Sequence, residues 1–196
     1  DEVLDLHTWL SQGEEEASSW GLSDRALFEQ AKSEVSQLHD SAQPFNLTLL
    51  TLDTHEPAHA FGYCPITTEE EMTSITRCSM EQVADFIQYL DSEGILEDTA
   101  VVLMGDHEKF VSDGSSYQEL LSIEDRTIFN RIWSPDEIEI SRSDVDQLSM
   151  FATMLELVGM KVEDRAAGVG ISAFYSGGPA SGLLARSPEE YAEVVQ

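Results

Sequence analysis

The chain has 196 residues, 41% of them hydrophobic, and 38 acids against 10 bases give it a formal net charge of -28. That length and apolar content suit one folded domain with a real core and argue against a disordered chain. The charge repels nucleic-acid phosphates and anionic membrane surfaces, so nucleic acid is excluded as a partner, and the acidity reads most simply as a solubilising surface.

Residues 1–22 are acidic and polar, with Glu14-Glu15-Glu16 ahead of Trp20-Gly21, and are expected to form a weak helix or loop. Ser23 is placed to cap a helix over about 24–39, with Leu27, Ala31, Val35 and Leu38 at helical spacing. Leu47-Thr-Leu-Leu-Thr-Leu52 reads as an apolar strand that ends in Asp53-Thr54-His55-Glu56-Pro57. The stretch from His59 to Arg77 reads as a long surface loop of the kind that serves as a lid. Ser79-Met-Glu-Gln82 has the form of a capping box, opening a helix to about Glu93 with Val83, Phe86, Ile87 and Leu90 inward and Gly94 as its stop.

Thr99 to Met104 is a β-branched and apolar run, the signature of a strand buried on both faces in a parallel sheet, and it ends in Gly105-Asp106-His107. Arg126 to Trp133 resembles another strand. Ser143 is expected to cap a helix to about Val158, with Leu148, Phe151, Ala152, Leu155 and Val158 inward. Gly168 to Gly182 is glycine-rich, and residues 187–196 form a short acidic helix or a frayed tail. Helices alternate with buried strands, so the expected class is α/β, with a mainly parallel sheet flanked by helices.

No run approaches the ~18 apolar residues of a membrane span, so the chain as given is expected to be soluble. Cys64 and Cys78 bracket a polar stretch; the spacing is unlike a zinc site and leaves open a disulfide or two free thiols.

Two strand ends carry chemistry. A carboxylate beside an imidazole, just past the carboxyl end of a buried strand, lies where open α/β sheets bind ligands, and Asp106 and His107 are both good divalent-metal ligands. Asp53 and His55 close the other strand; each also reads as an ordinary turn residue, and His59 as an exposed loop histidine. On α/β topology the two clusters are expected to meet in one crevice. A G-x-S-x-G elbow and a complete G-x-G-x-x-G are both lacking, which removes the hydrolase-triad and dinucleotide readings and leaves cation-assisted chemistry.

Five segments occur in a telling order: "WGLSDRALF" (20–28), "LLTLDTHEP" (49–57), "RCSMEQVADFI" (77–87), "DTAVVLMGDH" (98–107) and "DQLSMFATMLELVGM" (146–160). The series resembles the carboxyl-terminal half of the sulfatase-like phosphoglycerol transferases of the alkaline-phosphatase superfamily, which also holds lipoteichoic acid synthases and phosphoethanolamine transferases. The similarity is greatest to the transferases that decorate periplasmic glucans, in which Cys64 and Cys78 have counterparts; whether the two are joined in a disulfide stays open. The resemblance implies an extracytoplasmic catalytic domain of a membrane-anchored enzyme, moving phosphoglycerol from a phosphatidylglycerol-type donor to a glycan or glycolipid acceptor. It further implies a manganese or magnesium ion held in part by Asp106 and His107, with His55 contacting the substrate phosphate.

The family's threonine or serine nucleophile and a glutamate ligand precede the matched stretch, so the chain is expected to carry part of an active site and no turnover alone. Its implied organisation is an acidic segment over 1–22, the second half of a catalytic domain over 23–175 and a glycine-rich acidic tail over 176–196. Glu108-Lys109 departs from the small residues usual after Asp-His in the family. Sulfatase or phosphoethanolamine transferase activity, or an acidic binding domain without catalysis, are the alternative readings.

Overall fold

The computed structural model describes residues 2–111, 117, 122–142, 145–177, 187, 190 and 193. The chain divides into two compact units, one of Asp1–Ile95 with Val111–Gln118, the other of Leu96–Phe110 with Glu119–Gln196.

The first unit is helical. The short helix α1 (Leu6–Ser11) starts at Asp5, whose side chain accepts from the Thr8 amide, and it buries Trp9. Trp9 packs with Leu22 and Ala26. Helix α2 (Asp24–Asp40) begins at the expected cap: the Ser23 hydroxyl accepts from the Ala26 N–H at 3.1 Å, satisfying one orphan donor of the first turn. Its Phe28, Ala31 and Val35 are buried, as are Val83, Phe86 and Leu90 of helix α3 (Glu71–Ser92). The Phe28 and Phe86 rings pack at a tilt of 33° with centroids 5.1 Å apart. Burial of each such ring contributes about 1.5–3 kcal/mol. The two helices are also joined by the Ser36 and Tyr89 hydroxyls at 2.7 Å.

Helix α3 corrects the expected boundary. It starts at Glu71, well inside the stretch read as loop, because Met72 and Ile75 extend the apolar stripe of Val83 and Phe86 upstream. Ser79 consequently lies mid-helix and buried, and it caps nothing. Gly94 then leaves the helix with φ 74°, the left-handed conformation that glycine adopts at least cost.

Leu47–Leu52 has the composition of a strand but pairs with no other strand among the described residues, and Leu50 is 62% exposed. Strand chemistry without a ladder partner leaves an extended segment. The segment is nevertheless fixed at its far end by side-chain hydrogen bonds described below.

In the second unit β1 (Val101–Met104) pairs antiparallel with β2 (Asn130–Trp133), from Val101↔Trp133 to Met104↔Asn130. The Gly105 N–H donates to the Phe129 carbonyl at 2.9 Å and carries the pairing one residue further. All four residues of β1 are half-buried, so this strand is not enclosed on both faces. Strands β3 (Ala166–Ala167) and β4 (Gly170–Ile171) form a second antiparallel pair. The expectation of a mainly parallel sheet is thus corrected: among the described residues both ladders are antiparallel. A parallel pair needs a crossover connection, usually a helix, and none is described between β1 and β2.

Helix α4 (Gln147–Leu157) takes its cap from Asp146, which accepts from the Ser149 N–H at 2.8 Å; Ser143 lies outside the described residues, as does most of the 176–196 tail. Its inward face also differs from expectation. Ala152 is buried as expected, together with Ser149, Met150 and Thr153, whereas Leu148, Phe151 and Val158 are exposed. Strand β4 dictates this choice. The Ile171 N–H donates to the Ser149 hydroxyl and the Ala173 N–H to the Thr153 hydroxyl, at 3.2 and 2.9 Å, so two polar side chains one turn apart satisfy a passing backbone. Gly170 permits that approach, since a Cβ there would stand 2.1 Å from the Leu148 carbonyl oxygen.

Candidate active site

The two strand-end clusters lie in different units, Asp53 and His55 in the first and Asp106 and His107 in the second. Each is described by itself.

Asp106 and His107 leave β1 at Gly105, where the ladder stops. Their side chains are 68% and 67% exposed. The Asp106 carboxylate accepts from the His107 N–H at 2.9 Å, which turns it back over its neighbour. His107 Nδ1 lies 2.7 Å from the Glu108 carbonyl oxygen. A carbonyl only accepts, so Nδ1 carries the proton and Nε2 of the neutral ring presents a lone pair. That Nε2 lies 3.4 Å from Asp106 Oδ2. Two ligands about 2.1 Å from one ion stand roughly 3.0 Å apart at octahedral angles and roughly 3.4 Å apart at tetrahedral ones, so the pair lies within about 0.4 Å of the spacing either geometry needs. The ring orientation is set as in known metal-ligating histidines, whose second nitrogen donates to a carbonyl or carboxylate. Among the described residues no group of three or more His, Cys, Asp or Glu converges that could hold a metal ion.

The loop beyond is tied down. Arg126 pairs with Glu108 at 3.2 Å and donates to the Lys109 carbonyl at 2.7 Å. The Gln147 side chain of α4 donates to the Asp106 carbonyl. The unusual Glu108 therefore has a local structural partner.

In the first unit Asp53 and His55 separate in role. His55 is exposed, with its ring against that of Trp20, centroids 3.9 Å apart, and its Nδ1 2.6 Å from the Glu56 carbonyl. Asp53 is buried. It accepts from the Asp24 N–H at 3.1 Å and from the Tyr63 hydroxyl at 2.5 Å. Burial pushes its carboxyl up to about 6, helped by the charge of Asp24 and opposed by the Tyr63 hydrogen bond. Burial and the bond to Asp53 raise the Tyr63 hydroxyl in turn. His59 is an exposed loop residue set edge-on against Phe61. Cys64 and Cys78 are joined in a disulfide that fastens the loop carrying Tyr63 to α3.

The raised carboxyl has a consequence for stability. Between the ordinary carboxylate range and about pH 6, folded Asp53 holds a proton that the unfolded chain has released. This contribution is complete below the unfolded value and is lost as pH rises through about 6. Asp53→Asn keeps the shape and removes the buried charge, so it is expected to raise stability at pH 8 by on the order of 1 kcal/mol. It should also flatten the dependence between pH 4 and 6, read as urea midpoints of both proteins; a less stable variant at pH 8 would contradict this.

Residues that sequence reasoning passed over are Asp24, Tyr63 and Trp20. An acid in the first turn of a helix is ordinarily a partner of the helix dipole, which masked the buried role of Asp24.

A family model described as Sulfatase matches residues 4–160. Phosphoglycerol transferase I of Xanthomonas euvesicatoria pv. vesicatoria (strain 85-10) is 27% identical over 202 aligned residues, covering 95% of this chain and 28% of that protein. The protein of the same name from Xanthomonas campestris pv. campestris (strain B100) is 26% identical over 182 residues, covering 87% of this chain and 25% of the relative. That from Escherichia coli (strain SMS-3-5 / SECEC) is 29% identical over 100 residues, 46% of this chain and 13% of the relative. The chain spans about a quarter of the length of the Xanthomonas relatives. No solved structure matches it. With a family match over most of its length, the chain belongs to the sulfatase family.

Proposed function

We propose that this chain carries part of the active site of a metal-dependent phosphoglycerol transferase. The observation that carries the reading is the Asp106–His107 pair at the end of β1, with its Nε2 lone pair and carboxylate oxygen 3.4 Å apart. Asp106 and His107 would hold Mn²⁺ or Mg²⁺; when bound, the cation supplies Lewis-acid stabilisation of charge on a phosphoryl oxygen. Gly105 ends the strand so that the pair faces outward, and the Glu108 carbonyl holds the proton of a neutral His107 ring on Nδ1, which leaves Nε2 as the ligand nitrogen.

His55 is assigned to the substrate phosphate. Its Nδ1 is committed to the Glu56 carbonyl, so Nε2 donates to an anionic oxygen when the ring carries its second proton. A charged donor of this kind stabilises a developing oxyanion. The donor is read as a phosphatidylglycerol-type phospholipid and the acceptor as a glycan or glycolipid, on the relatives named phosphoglycerol transferase I. The nucleophile is assigned to the part of the domain outside this stretch.

The disulfide supports an oxidising, extracytoplasmic location, since disulfides persist in such compartments. No helix among the described residues is long and apolar enough to cross a membrane.

The test is turnover by the full-length protein with Mn²⁺, comparing phosphatidylglycerol, phosphatidylethanolamine and an aryl sulfate as donors. Headgroup transfer from phosphatidylglycerol alone is expected. Faster turnover of either other donor would contradict the assignment.

A further inference from the structure

The segment Trp20-Gly-Leu-Ser-Asp24 has no part in the chemistry assigned so far, yet its contacts converge on His55. It is held rigidly. Ala17 and Leu22 form a β-bridge, the Ser18 N–H donates to the Gly21 carbonyl at 2.8 Å, and the Ser23 N–H donates to the Glu16 carbonyl at 2.9 Å. Trp20 stands at the tip of this small hairpin, 49% exposed. The Ser23 hydroxyl, besides capping α2, donates to Glu16, which also pairs with Arg25.

From this base two contacts reach the residues around His55. Asp24 is wholly buried, and its Oδ1 accepts the N–H groups of Leu52 and Asp53 at 2.8 and 3.2 Å. Its Oδ2 accepts from the Ser79 hydroxyl of α3 at 2.5 Å. The Leu52 carbonyl in turn accepts from the His55 N–H at 3.0 Å, so the His55 backbone hangs from a turn whose first residue is tied to Asp24. Asp53 returns the tie by accepting from the Asp24 N–H. Trp20 meets the His55 ring itself. Gly21 lets Leu52 come close, since a Cβ there would stand 2.5 Å from Leu52 Cδ1.

Burying a carboxylate is costly, and a favourable interaction with the helix dipole needs only an exposed acid in the first turn. The arrangement makes sense if the carboxylate fixes a backbone that must not drift, because a functional group misplaced by about 1 Å loses much of its effect. We propose that Trp20–Asp24 is the positioning element of His55, with Asp24 holding the backbone from which the side chain springs and Trp20 holding the ring. Its functional meaning rests on the phosphate role given to His55 above.

The test is side-chain nuclear magnetic resonance of the ¹⁵N-labelled protein, with His55 signals assigned by His55→Gln. In the native protein the His55 ring protons are expected upfield, under the Trp20 ring, with the nitrogen pattern of the Nδ1–H form. Asp24→Ala should move them to the shifts of an exposed histidine while the Phe28 and Phe86 signals of the α2–α3 core stay put. Asp24→Asn, which keeps an oxygen for the Leu52 and Asp53 N–H groups, should restore the native shifts. Native His55 signals in a folded Asp24→Ala protein would overturn the proposal.

If Asp24→Ala does not fold, Trp20→Ala decides, being half-exposed and outside the helices: loss of the single nitrogen pattern supports the proposal, and its retention overturns it. Titration with inorganic phosphate separates the two readings. His55 shifts that depend on Asp24 but ignore phosphate would sink the phosphate role and leave the positioning geometry standing.

Discussion

Asp106→Ala is expected to lower transfer from phosphatidylglycerol by about 10³-fold in the full-length protein at saturating Mn²⁺. A metal acting as a Lewis acid on a phosphoryl oxygen supplies several kcal/mol of transition-state stabilisation. Each ~1.36 kcal/mol is a factor of ten in rate, so losing one of few ligands costs on the order of three decades. The substitution is suited to the purpose because the Asp106 side chain is 68% exposed and its carboxylate contacts the adjacent His107. Changes at such positions shift stability little, so a lost rate reports on chemistry. The check is initial rate against unchanged circular dichroism. A variant with more than a tenth of native turnover would contradict the ligand role.

Removing the Cys64–Cys78 disulfide is the second large effect. The bond closes a loop of 14 residues' separation, for which loop entropy gives roughly 3 kcal/mol. For a chain of this size that corresponds to a fall in melting temperature of roughly 6–12 °C. The consequence should be local as well as global, because the bond fastens to α3 the loop that carries Tyr63, the hydrogen-bond donor to Asp53. Cys64→Ser/Cys78→Ser is therefore expected to melt lower by that amount and to leave the half-exposed Trp20 more open to solvent quenchers. A melting temperature within 2 °C of native, a shift of roughly 1 kcal/mol or less, would mean that the unit is held by α2–α3 packing alone.

Local chemistry was legible wherever one residue decides it. Ser23 caps α2, Gly94 ends α3, and Val101–Met104 forms a strand that stops at Asp106-His107, all readable from residue type and spacing. What failed depended on partners distant in sequence. Ser79 has the spacing of a capping box, but Met72 and Ile75 continue the apolar stripe and its hydroxyl is claimed by Asp24, 55 residues away. On α4 the apolar stripe of Leu148, Phe151 and Val158 looked like the inward face. The inward face is instead set by Ser149 and Thr153, whose hydroxyls accept the N–H groups of Ile171 and Ala173. Leu47–Leu52 has strand composition, yet composition cannot provide the neighbouring strand that makes a ladder.

The site was legible to the same extent. Asp106 and His107 are neighbours in sequence, so their pairing needed only a strand end to display it. The tie from Asp24 to Asp53 spans 29 residues and joins two acids, a combination that charge patterning counts as repulsive. Only the backbone N–H groups between them, invisible in a sequence, make it favourable. The raised Asp53 carboxyl reflects its burial first and the charge of Asp24 second.

The central claim is that Asp106 and His107 hold a divalent cation, and a thermal-melt titration with Mn²⁺ in moderate salt tests it most directly. This chain and its Asp106→Ala variant would be compared, with Ca²⁺ as the control for diffuse attraction to a surface of net charge -28. Binding to the native state raises the melting temperature by mass action. A Mn²⁺ shift that exceeds the Ca²⁺ shift and disappears in Asp106→Ala is the predicted result. Equal Mn²⁺ shifts in the two proteins would contradict the claim and favour an acidic binding domain without catalysis.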